Sequence, residues 1–125
     1  MDDGEKRADR GIVEMSSHTI EVAVKIAQKL INDVLFSNHI ELDTTFRAIG
    51  NIASSSVQVL VEEGHLSTDD ECQAIYDRIL LPFKERFVDE VYELRYSDVE
   101  MTAEIKAELE DEVNYRDRQY MLRNP

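Results

Sequence analysis

The chain has 125 residues, 42% of them hydrophobic and 33% charged, which suits one folded domain able to bury roughly two-thirds of its unfolded surface. Its 27 acidic and 14 basic residues leave a formal net charge of −13, which phosphate backbones and anionic lipid repel; direct binding to nucleic acid or to a membrane surface is therefore disfavoured, while a basic partner suits it. The one cysteine, Cys72, excludes an internal disulfide framework and fits a reducing, cytoplasmic setting, and no run approaches the ~20 apolar residues of a membrane helix.

Residues 1–15 alternate in charge around Gly4 and Gly11 and have little to bury, a pattern that predicts a mobile arm ahead of a single helical domain over 16–125. That opening lacks the apolar run of a secretory signal. From Ser16 to Phe36, apolar residues at Ile20, Ala23, Val24, Ala27, Leu30, Ile31, Val34 and Leu35 trace one helical face. Val22 and Ile26 widen that face and predict a central helix.

"SNHIELD" breaks the pattern, and Asp43 is placed to cap a second helix carrying Phe46, Ile49, Ala53, Val57, Leu60 and Val61, with Gly64 as its stop. Gly50 inside this helix costs about 1 kcal/mol relative to alanine, so the sequence predicts a close crossing with another helix there, helped by Ala53 and Ser54. "VQVLV" alternates as a strand does, but it is the only such run.

Thr68 and Glu71 have the spacing of a capping box for a third helix, whose inward positions are Cys72, Ile75, Ile79 and Leu80. Pro82 predicts a break or a sharp kink. A further segment bears the aromatic face of Phe83 and Phe87 with Val88, Val91 and Leu94, and Ser97 with Glu100 forms a second capping-box spacing that launches the last helix. The expected architecture is thus an all-α bundle of four to five helices with short connections. The aromatic face and the last helix exceed what one small core covers, which predicts a homodimer.

In that last helix Met101, Ile105, Leu109 and Val113 recur every four residues as a narrow apolar ridge, and Glu100, Glu104, Glu108 and Glu112 run beside them at the same interval. Like charges four apart repel by roughly 0.2 to 0.5 kcal/mol per pair, so the acidic row opposes an isolated helix. The helix dipole favours the order of acid before base, with Arg116, Arg118 and Arg123 toward the end, but leaves the mid-helix glutamates unexplained.

Catalytic signatures are weak. The four glycines do not cluster into a phosphate loop, and Cys72 falls at helical spacing from Ile75 and Ile79, the pattern of a small core residue. Glu62 and His65 have the Glu-x-x-His spacing of di-iron bundles in one copy only, with Gly64 between them. The histidines His18, His39 and His65 read as surface or cap positions, and neither a metal nor another cofactor is expected.

Glu90 and Glu93, followed after a gap by Glu108 and Asp111, form a pattern similar to the carboxylates of the all-α nucleoside-triphosphate pyrophosphatases of the MazG type. That resemblance covers about a fifth of the chain, and it implies two facing helices holding magnesium against a nucleotide.

The reading that uses most of these features is a small acidic interaction module that binds a basic partner protein, in the manner of an inhibitor, an immunity protein or a phage antagonist. Glu104, Glu108 and Glu112 carry it, and Glu100 and Asp111 support them. A competing version is a DNA mimic, with the carboxylates occupying a nucleic-acid-binding cleft.

Overall fold

The computed structural model describes the backbone of residues 3–37 and 42–123, and the side chains of 16–37 and 42–123. It is all-α, with no strand among the described residues: α1 (Asp3–Leu35), α2 (Leu42–Glu62), α3 (Asp69–Lys84), α4 (Val88–Tyr92), one 3₁₀ turn (Tyr96–Asp98) and α5 (Ala103–Arg123). "VQVLV" is helical, as its surroundings demand.

The first helix runs back to Asp3, thirteen residues beyond the predicted start at Ser16, because alternating charge without an apolar stripe is still compatible with helical backbone. Its predicted face is the packed one. Ala23, Val24, Ala27 and Ile31 are buried, and Ile20, Leu30, Val34 and Leu35 pack against them.

The central helix is α2 rather than α1. It meets α1, α3, α5 and the 3₁₀ turn, and it buries Asn51, Ser54, Ser55 and Ser56 together with its apolar positions. Asp43 lies inside its first turn, where a carboxylate still suits the dipole, rather than at the cap. Its far end is as predicted. Gly64 adopts φ +82°, His65 donates to the Leu60 carbonyl at 2.8 Å, and Gly64 donates to Val61 at 3.1 Å, the paired bonds of a Schellman stop.

The start of α3 is a complete capping box. The Glu71 amide donates to Thr68 Oγ1 at 3.1 Å, while the Thr68 amide and hydroxyl both donate to Glu71 Oε1. Those bonds, with Thr68's side chain the largest cause, hold the Glu71 carboxyl below the usual carboxylate range.

Pro82 does not break the helix, which continues to Lys84. Proline at this position leaves the Arg78 carbonyl without its amide partner. Gln28 of α1 supplies a donor at 3.5 Å, and the Arg78 side chain pairs with Glu21 of the same helix. Two links between α1 and α3 therefore surround the defect.

Beyond α3 the boundaries differ from those expected. Phe83 belongs to α3 rather than to the segment after it, and the α4 helix in that segment has five residues. Ser97 lies in the 3₁₀ turn and makes no side-chain cap, so α5 opens later, at Ala103, with the Lys106 amide bonded to the Thr102 carbonyl. Met101 and Glu100 consequently precede the helix.

The aromatic face lies within the chain. Phe83 is 3% exposed, and Phe87 packs edge-on against Phe46 at 5.4 Å between ring centroids. Part of the apolar surplus is therefore covered inside one molecule, while Val88 of that face and Met121 and Leu122 of α5 stay exposed.

Candidate functional site

Along α5 the ridge holds where the helix exists: Leu109 and Val113 are buried and Ile105 is half-buried, whereas Met101 is exposed. The line continues beyond the apolar residues. The Thr19 hydroxyl donates to Asp117, and Tyr120 stacks on His18 with centroids 4.1 Å apart. Since Ile105 lies near Leu30 and Val34, while Asp117 and Tyr120 reach Thr19 and His18, α5 runs antiparallel to α1 from Ile105 to Tyr120.

With the ridge turned inward, Glu104, Glu108, Asp111 and Glu112 are exposed on α5, and Glu100 is exposed on the segment before it. The helix rise separates the three glutamates by about 6 Å each. Lys106, the one lysine of α5, pairs with Glu62 of α2 and is withdrawn from the row. Among the described residues, Glu104 and Glu108 have no ion-pair partner, and Glu112 has only Arg116 at 3.9 Å.

Beside this row a recess of about 320 Å³ opens between α1, α2 and α5. Leu30, Val34, Ile52 and Ile105 form its apolar lining, while Asp33 stands on the α1 side and Glu108 on the α5 side. Sequence reasoning missed it because its walls come from three helices whose spacing has no local signal. Leu30, Val34 and Ile105 do stand in the predicted stripes, but their half-burial follows from the packing.

A second feature hidden from the sequence is the polar middle of α2. Asn51 Oδ1, Ser54 Oγ, Tyr76 OH and Thr102 Oγ1 are buried without a hydrogen-bond partner among the described residues. Ser55 reaches the Thr102 carbonyl at 3.4 Å, and Ser56 bonds back to Ile52 at 2.9 Å. Burial is the main cause that pushes the Tyr76 phenol pKa upward, so this hydroxyl stays neutral.

The structure does not assemble the pyrophosphatase-like carboxylates. Glu90 and Glu93 lie on or just after the short α4, which packs on α3; both are exposed, as are Glu108 and Asp111. Among the described residues no group of three or more His, Cys, Asp or Glu could hold a metal ion. Five residues of helix are too few to lay a second carboxylate face along α5, so the arrangement implied by that resemblance is not formed.

The Glu62 and His65 pair also separates. Glu62 faces Lys106, whose hydrogen bond lowers its pKa, whereas His65 lies beyond the Gly64 stop with Nδ1 2.8 Å from Ser16 Oγ. His18 lines the α1–α5 seam, and His39 lies outside the described residues. Cys72 is buried and burial pushes its thiol pKa up, which makes it a packing residue. No described helix is long and apolar enough to cross a membrane.

No protein-family model matches the chain, and neither a curated protein nor a solved structure matches it.

Proposed function

We propose that this chain is a small acidic interaction module that docks a basic partner protein through the carboxylate row of α5. The observation that carries the reading is that Glu104 and Glu108 stand exposed with no cation opposite them among the described residues, on a helix whose one lysine is engaged elsewhere. Like-charge repulsion within the row works against the helix. The apolar ridge packed on α1 and α2 offsets that repulsion. Glu112 and Asp111 extend the surface, and Glu100 flanks it from the preceding segment. The buried, single thiol of Cys72 supports a reducing setting such as the cytoplasm.

The test compares the wild-type chain with the variant Glu104→Lys, Glu108→Lys, Glu112→Lys as bait in a lysate of the native host, at low and at raised salt. Basic proteins retained by the wild type should be lost by the variant and weakened by salt, and with a purified partner the loss should fall mainly on the association rate. An identical retained set refutes the assignment. Competition by duplex DNA separates a backbone mimic from a binder that leaves the partner's nucleic-acid cleft free.

A further inference from the structure

We infer that the recess beside the row receives one bulky aliphatic side chain of the partner, and that Lys or Arg residues on both sides of that side chain meet Asp33 and Glu108. The inference rests on the acidic-module reading and adds to it the chemistry of the contact.

The lining decides what fits. Ile52 forms a closed floor at 2% exposure, and Leu30, Val34 and Ile105 expose only part of their side chains. An apolar group entering here gains burial on three sides without having to order the protein's own core. A volume of about 320 Å³ lies at the lower end of ligand cavities, roughly 300 to 1,000 Å³, which favours a side chain over a cofactor. Beyond the two carboxylates, Ser37 is the only polar residue in the lining among the described residues, which therefore supply no converging set of polar groups to orient a small molecule.

Charge complementarity fixes the rest. Asp33 and Glu108 belong to different helices and border the same opening, so an entering side chain has a carboxylate on either hand. A neutral apolar peptide would leave both acids facing it. A peptide with cations on both flanks answers them, and Glu104 and Glu112, one turn to either side of Glu108, extend the attraction along α5. Apolar anchors in a central pocket with a charged rim are the usual form of an interface hot spot.

Three synthetic peptides test this, each in a glycine–serine background: leucine between pairs of lysines, serine between the same lysines, and leucine between glutamines. Affinity is measured by titration, and the contact is located by methyl NMR of Leu30, Val34, Ile52 and Ile105. The lysine–leucine peptide should bind about tenfold or more tighter than the lysine–serine peptide, from the burial of one leucine, and should shift those four methyl sets. The leucine–glutamine peptide should bind weakly. Asp33→Lys with Glu108→Lys, both at exposed positions, should abolish the preference for lysine flanks, whereas Glu104→Lys with Glu112→Lys should weaken both lysine peptides equally. Equal binding of the lysine–leucine and lysine–serine peptides, or methyl shifts elsewhere, overturns the recess and leaves the acidic row standing. Equal binding of the leucine–glutamine peptide overturns the charged flanks. Failure of both lysine peptides overturns the recess and the acidic-module reading together.

Discussion

Tyr76 is fully buried, yet its hydroxyl has no hydrogen-bond partner among the described residues. An unpaired buried polar group costs about 1 to 3 kcal/mol, so Tyr76→Phe should leave stability unchanged or raise it by about 1 kcal/mol. A clear loss in chemical denaturation would instead mean that the hydroxyl is bonded through ordered water. The same hydroxyl lies 3.4 Å from the position a Cβ on Gly50 would take, and both Val99 methyls lie 3.1 Å from it. A close approach is therefore present at Gly50, but it is not the predicted crossing with another helix: its partners are Val99, after the 3₁₀ turn, and the hydroxyl tip of one tyrosine of α3. A leucine at position 50 gains about 1 kcal/mol of helix propensity and meets overpacking of typically 1 to 3 kcal/mol. Gly50→Leu should accordingly lower the melting temperature by several degrees, and an unchanged value would remove this account of the glycine.

Element boundaries show which local signals survive packing. The capping box of Thr68 and Glu71 forms because both partners lie within one turn and need nothing from elsewhere. The equally spaced Ser97 and Glu100 do not form one, because Ser97 is occupied in a 3₁₀ turn and the extended Val99 that follows it packs against Gly50. The Glu71 carboxyl is lowered in the folded state, so its contribution is fully present above the ordinary carboxylate pKa. It is lost as pH falls through the lowered value. Thermal melts should therefore show wild type above Glu71→Gln at neutral pH, with the gap closing as the solution is acidified. A gap that widens in acid would contradict the sign. Pro82 illustrates the reverse influence: tertiary contacts from Gln28 and Glu21 surround a defect that sequence alone reads as a break or a sharp kink, and the helix continues through it to Lys84.

For the molecule as a whole, a net charge of −13 means that folding gathers like charges, and self-repulsion opposes the compact state. Added salt shortens the Debye length to about 10 Å at 0.1 M and should relieve it. The bridges Glu21–Arg78 and Glu62–Lys106 weaken at the same time, but they lie at the surface, where ion pairs contribute little. The melting temperature should thus rise as sodium chloride is raised from low to physiological concentration. A fall would mean that the surface pairs outweigh the repulsion.

The all-α class, the faces of α1, α2 and α3, the Gly64 stop and the exposure of Glu104, Glu108 and Glu112 were determined by sequence alone. Each depends on periodicity or capping within a few residues, where backbone geometry leaves few alternatives. Tertiary structure decided that α2 is central, that Phe83 and Phe87 pack within one chain, and that Glu90 and Glu93 stay apart from Glu108 and Asp111. It also decided that Leu30, Ile52 and Ile105 meet beside Asp33 and Glu108. Those outcomes depend on how far apart the helices pack and how they are rotated about their axes, and both are set by side chains distant in the chain.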